Sequence, residues 1–311
     1  MDGMPLIKKK RIKMRKYDLI FYIAFIAWPV LHFCVFYLGV NFNSLLLAFQ
    51  NIDVSTNTTT WTLFGNLKEA WHRIFANTEL ILAAKISLLG YALPLLIGTP
   101  LALLFSYYIY KGMFGSKFFR VALFVPSIVS SIVMTVVFQY FVDGAMAGIA
   151  AKITGDPKTL GLLSNPDTRL GTILFYNLWV SFGVTTLMYV NAMYGIPPEQ
   201  VEAARMDGAI GIREFWHVTL PSVFPTLATF LVTGVAGIFT NQLSIFNFYG
   251  SSAPPGIISY GYWLYKETLA GVYAPAQNPI IAAMGIWMTL VAVPITFLVR
   301  WLLDKFGPSA D

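Results

Sequence analysis

The sequence predicts an all-α membrane protein with six transmembrane helices and both termini cytoplasmic, and three observations lead there. Of its 311 residues, 57% are hydrophobic and 12% are charged, about half the charge of an ordinary soluble domain. The apolar residues gather in uncharged runs of about 20 residues or more, the length that crosses a hydrocarbon layer ~30 Å thick. The cations are unevenly distributed, and cytoplasmic flanks of membrane spans are the ones rich in Lys and Arg.

The runs place spans at Leu19–Val40, Ile86–Tyr110, Val121–Val142, Gly171–Ala192, Ser222–Phe248 and Asn278–Val299. With six crossings both termini share one side. Fourteen of the 21 basic residues fall on that side: seven from Lys8 to Lys16, then Lys111, Lys117, Arg120, Arg205, Arg213, Arg300 and Lys305. Pro29, Pro94, Pro100, Pro126 and Pro294 lie within these runs and read as kinks, because a membrane bundle can re-satisfy the freed backbone groups.

Residues 1–18 form a basic N-terminus. Their cations lack interleaved aromatics, so they read as a topology signal and not as a nucleic-acid surface. Span one, 19–40, is longer than the apolar part of a signal peptide and has no small-residue cleavage motif after it. Its His32 has no acidic partner in the run and reads as a packed residue. Cys34 is the only cysteine, which rules out an intrachain disulfide or a cysteine metal site.

Residues 41–79 make an outer loop too long for a simple connector. Leu67, Ala70, Trp71, Ile74 and Phe75 recur at helical spacing opposite Lys68, Glu69, His72 and Arg73. This predicts a short amphipathic helix, lying in the outer membrane surface or docked on a partner. The Asn57-Thr58-Thr59 sequon reads as a chance match.

Residues 80–305 carry the other five spans, and 306–311 are a short cytoplasmic tail. Polar residues repeat along three of these spans: Ser127, Ser131, Thr135 and Gln139; Asn177, Ser181, Thr185 and Tyr189; then Thr229, Thr233, Gly237, Thr240, Ser244 and Asn247, beside Asn241 and Gln242. Such stripes avoid lipid, either as close-packed seams or as the wall of a hydrated path. The carboxamides of Gln139, Asn177, Asn241, Gln242 and Asn247 need several hydrogen-bond partners each and are the candidate path lining. A neutral hydroxylated solute suits that lining. Charges inside the spans are scarce; Lys85 and Asp143 sit at expected span ends, so the acid and base relays of an ion-driven pump are missing. No catalytic or metal site is expected. The chain has no H-E-x-x-H pair and no G-x-S-x-G run, and His32, His72 and His217 fall in three separate regions.

Between spans four and five lies a different kind of segment, 196–221. Pro197 and Pro198 suit a helix start, Gly208 a turn, and Ile210 to Val218 a second short helix ending before Pro221. Ala203 and Ala204 permit close approach, while Glu202, Arg205 and Asp207 offer charged contacts. The residues alone allow either a docking knob or an interfacial loop.

Glu202-Ala203-Ala204, Gly208, then Val218, Leu220 and Pro221 resemble the EAA loop of the permease subunits of binding-protein-dependent type I ABC importers, with Val218 where isoleucine is more usual. The placement of loops over 77–305 is similar too. The resemblance implies that family's permease fold and a location in a prokaryotic cytoplasmic membrane. It further implies coupling contacts at Glu202, Ala203, Ala204, Asp207 and Gly208, a second permease subunit, an ATPase subunit pair and an extracytoplasmic solute-binding protein. The chain lacks a G-x-x-x-x-G-K-[ST] phosphate loop, so ATP and magnesium belong to the partner ATPase. Asp207-Gly208-Ala209 and Phe118-Phe119-Arg120 resemble the carbohydrate-uptake branch, similar to maltose and glycerol-phosphate permeases. This implies a sugar or oligosaccharide, with a polyol phosphate, amino acid or peptide, or a secondary transporter, as alternatives.

Overall fold

The computed structural model describes residues 16–56, 58–156 and 159–308. The basic run before Lys16, Asn57 of the sequon and the last three residues lie outside the described residues. Six helices are long and apolar enough to cross a membrane: α1 (Lys16–Leu47), α3 (Thr78–Tyr110), α5 (Ser131–Thr154), α6 (Pro166–Tyr194), α8 (Ile212–Ala236) and α11 (Pro275–Phe306). Between them run a hairpin of β1 (Gln50–Asp53) and β2 (Thr58–Trp61), α2 (Gly65–Ala76), α4 (Ser116–Ile128), α7 (Pro198–Met206), α9 (Ile245–Tyr249) and α10 (Tyr260–Ala270).

The six expected spans are all present, but two are placed differently. Residues 121–142 are not one helix. Val129 and Ser130 are extended, with ψ of 137° at both, so α4 ends two residues after Pro126 and α5 starts afresh. Pro126 therefore stands near a helix end and is not a kink. The apolar run continues across the break, but α4 only lies along α6 and α3, with Phe119, Leu123 and Pro126 half-buried and Phe118, Val121, Phe124, Val125 and Ile128 exposed. Gly183 of α6 makes that approach possible: a Cβ there would lie 2.2 Å from the Leu123 carbonyl oxygen of α4.

Span five is the second difference. Its helix stops at Ala236, and residues 237–244 run through turns before α9. At the other end, the short helix expected to finish before Pro221 instead continues into span five. Pro221 has no N–H to donate to the preceding turn, and the π-helical turn Phe215–Thr219 just upstream absorbs the mismatch. A similar wide turn, Pro94–Gly98, occupies the middle of span two, where Thr99 Oγ1 donates to the Pro94 carbonyl at 3.2 Å.

Lys85 and Asp143 do not mark span ends. Lys85 is seven residues inside α3, roughly 10 Å along its axis. Asp143 lies within α5, accepting from Leu163 N and Ser164 Oγ, both at 2.9 Å. It clamps the 161–164 loop, which Arg169 holds from the other side through the Leu163 and Ser164 carbonyls.

The amphipathic helix appears at α2 and docks on the chain's own last span. Ala70 and Ile74 are buried against α11, and Trp287 Nε1 donates to the Leu67 carbonyl at 2.9 Å. The Trp71 and Trp287 rings meet at a tilt of 54°, 4.7 Å between centroids, while Phe75 stays exposed, so only part of the apolar face is used. Asn66, in the first turn of α2, is buried and donates to the Ala48 and Gln50 carbonyls, tying the helix to the hairpin.

Three buried clusters hold the bundle. One, of Ala102, Leu103, Tyr107, Tyr189, Met193, Val201, Phe215 and Val223 among others, joins spans two, four and five to α7. Inside it Ser106 Oγ donates to the Thr186 carbonyl at 2.9 Å, a polar cross-link between spans two and four of the kind that fastens membrane helices.

Candidate functional site

The segment between spans four and five forms a projecting knob. Pro197 is extended (ψ 132°) and Pro198 opens α7, the position where a missing N–H does no harm. Val201 is buried in the cluster just described, while Glu202, Ala203, Asp207 and Gly208 are exposed and Ala204 is half-buried. One side of the helix is thus anchored and the other presented. The helix ends in a Schellman cap: Gly208 N donates to Arg205 O at 3.0 Å and Ala209 N to Ala204 O at 2.9 Å, with Gly208 at φ +79°. Glycine suits that left-handed position, and nothing lies within 4 Å of where its Cβ would be. Met206, Ile210, Ile212 and Trp216 are all more than half exposed around it.

A single acid pins the knob from behind. Glu214, in the first turn of span five, is 2% exposed; its Oε1 meets Lys111 Nζ just past the Tyr110 end of span two, and its Oε2 lies 3.8 Å from Arg205 Nε on α7. Sequence reading passed Glu214 over. The available signal was an isolated carboxylate inside Ile212–Val218, a stretch with no other acid.

Higher in the bundle, the break in span five opens a cavity of about 420 Å³ between spans two, four and five. Its polar lining includes Tyr91, Ser181, Thr185, Tyr189, Thr233 and Asn241, with no charged side chain. The span-four and span-five stripes converge here through Ser181, Thr185, Thr233, Gly237 and Thr240. Tyr189 is fully buried and its hydroxyl has no hydrogen-bond partner among the described residues.

The break itself is tightly determined. Leu243 and Ser244 have φ of 51° and 56°, a conformation that costs non-glycine residues ~1–3 kcal/mol unless the surroundings enforce it. Asn177 of α6 enforces it, donating to the Leu243 carbonyl at 2.8 Å and accepting from Ser244 Oγ at 3.0 Å. Asn241 Oδ1 accepts from Leu243 N at 2.9 Å, and Ser259 Oγ donates to the Asn241 carbonyl at 3.0 Å. Non-helical backbone at this depth requires such internal satisfaction.

Residues 95–310 match the family model described as "Binding-protein-dependent transport system inner membrane component". The chain belongs to this family. It is a multi-pass inner-membrane permease chain. Along nearly its full length, 98% of this chain and 96% of the relative, it is 26% identical to the probable ABC transporter permease protein YesP of Bacillus subtilis. It is 25% identical to the polygalacturonan/rhamnogalacturonan transport system permease protein YteP of the same organism, over 76% of this chain and 73% of that one. Its fold is that of a chain from a bacterial alginate ABC transporter solved in complex with an alginate pentasaccharide-bound periplasmic protein. The TM-score is 0.73 at 22% identity, covering 94% of this chain and 96% of that one.

Of the five carboxamides in the permease chain singled out from sequence, only Asn241 lines the 420 Å³ cavity. Asn177 is committed to the break. Gln139, Gln242 and Asn247 are half-buried elsewhere, and their side chains form no hydrogen bond among the described residues. The five residues expected as coupling contacts, Glu202, Ala203, Ala204, Asp207 and Gly208, lie together on the one knob.

Proposed function

We propose that this chain forms half of the membrane pathway of an ATP-driven importer for a neutral saccharide, with both termini on the cytoplasmic side. The observation that carries this reading is the uncharged, hydroxyl-rich cavity at the break in span five. A sugar presents alternating hydroxyl and C–H surfaces, which match side chains that donate and accept alongside Phe230 and Leu231. Each hydrogen bond to a neutral hydroxyl is weak enough to release the solute onward. Two of the similar proteins carry the names of acidic polysaccharides. This half offers such a solute no cation in the cavity, so any charge partner would come from the second permease subunit.

The knob, with Glu202, Ala203, Ala204, Asp207 and Gly208 on its free side, is the contact for a separate ATPase pair, which holds ATP and magnesium. An extracytoplasmic solute-binding protein delivers the saccharide to the outer end. No chemical step falls to this chain.

The test is uptake in proteoliposomes holding the complete complex, comparing labelled neutral oligosaccharides with uronate oligomers of equal length, with and without ATP. ATP-dependent uptake of the neutral series is expected. Uptake of uronates alone would overturn the neutral-solute reading, and solute flux through this chain without any ATPase would overturn the importer reading.

A further inference from the structure

Glu214 is a buried carboxylate that three elements share. Lys111, 17% exposed, closes the inner end of span two and is its close partner. Arg205, 56% exposed, belongs to the last turn of α7 and reaches the other oxygen at 3.8 Å. Glu214 itself begins span five. Around this junction Lys111 Nζ also sits 5.3 Å from the centres of the Tyr107 and Tyr110 rings, and Tyr107 Oη donates to the Gly211 carbonyl at 2.8 Å, two residues past the free end of the knob's turn.

Burying a carboxylate is costly unless it is paired, and one partner lost leaves the other charge stranded. Setting register between elements is the best-attested use of such pairs. Here the pair does not fasten α7 to the bundle; Val201 and its neighbours already do that through apolar contact. What the charges add is direction. Apolar packing lets a short helix roll or slide, whereas a carboxylate hydrogen-bonded to Lys111 through one oxygen, with the Arg205 guanidinium 3.8 Å from the other, biases the orientation of α7 relative to the two spans.

We propose that Glu214 is a positioning residue that makes the knob and the inner ends of spans two and five turn as one body, so that a push on α7 reaches both spans together. This rests on the coupling role proposed for the knob. Arg205 is the exposed, longer contact, and Lys111 is the fixed one, so the Lys111–Glu214 pair is the lock and Arg205 orients the knob on it.

The experiment uses the complete reconstituted complex with its solute-binding protein, reading solute moved per ATP hydrolysed, together with ATPase retained on purification. Glu214→Gln is expected to keep the ATPase bound and its hydrolysis stimulated, while solute moved per ATP falls about fivefold or more, the lower range of a coupling effect between sites. The paired exchange Lys111→Glu with Glu214→Lys is expected to recover most of that ratio where each single change does not. An unchanged ratio in Glu214→Gln overturns the proposal. Loss of the ATPase from the complex also overturns it, since Glu214 would then be a structural prop of the docking surface. Failure of the exchange to recover the ratio overturns the pairing. A Gly208→Trp control separates the two levels: if it uncouples while Glu214→Gln does not, the knob's role stands and only the role of Glu214 fails.

Discussion

The Asn177 side chain on span four donates a 2.8 Å hydrogen bond to the Leu243 carbonyl, 66 residues later in the broken part of span five. That bond and its companion to Ser244 hold a left-handed stretch of backbone in place. Asn177→Leu keeps the branching and the number of side-chain heavy atoms but strands a carbonyl and a hydroxyl, a loss of about 1–3 kcal/mol. The expected outcome is a lower thermal unfolding midpoint of the purified complex in detergent. An unchanged midpoint with altered uptake would instead make Asn177 part of the solute path.

Gly208→Trp tests the knob. Its φ of +79° makes any side chain there unfavourable by about 1–2 kcal/mol, but the space around it is empty within this chain. The protein is therefore expected to reach the membrane at normal levels while uptake in whole cells is lost. Uptake at the parental rate would remove the knob from the coupling scheme.

Tyr189→Phe deletes a buried hydroxyl that has no partner among the described residues. Folding is expected to be unharmed, because removing an unsatisfied polar group leaves no other group stranded. If the hydroxyl serves a passing solute, transport is expected to weaken by about two- to tenfold, the value of one neutral hydrogen bond. The discriminating measurement is solute-concentration dependence of uptake set beside the unfolding midpoint; a fall in stability with normal uptake would assign Tyr189 to packing alone.

Gly183→Ala tests the placement of α4. The added methyl would meet the Leu123 carbonyl at 2.2 Å, and overpacking of this kind costs about 1–3 kcal/mol. Hydrogen exchange across residues 116–128 is expected to speed up selectively, with span six, which does not pack on α4, unaffected. Unchanged exchange there would mean that α4 does not lean on span four.

Much of this architecture was legible in the chain. Apolar runs longer than a bilayer is thick announce helices whatever surrounds them, since no other open backbone arrangement satisfies itself in lipid. The knob was legible for a local reason as well: Pro198 is restricted to positions such as a helix start, Gly208 is the residue that accepts a left-handed turn at no steric cost, and the structure puts them at a helix start and a Schellman cap. Span ends were less so. The run through Val121 is equally apolar whether it crosses the membrane or packs α4 on α6, and only the extended backbone at Val129 and Ser130 separates the two cases.

By itself, then, the sequence determined the number of membrane helices, the position of the knob and the scarcity of charge within the spans, because these follow from hydrophobicity and from backbone limits local to each residue. Tertiary structure alone decided that span five breaks at 237–244, that Ser181, Thr185, Tyr189 and Thr233 meet at one cavity, and that Glu214 finds Lys111, 103 residues earlier. Each of these depends on which groups come together from distant parts of the chain. A buried polar atom is stable only where another element completes its hydrogen bonds, and no local pattern names that element.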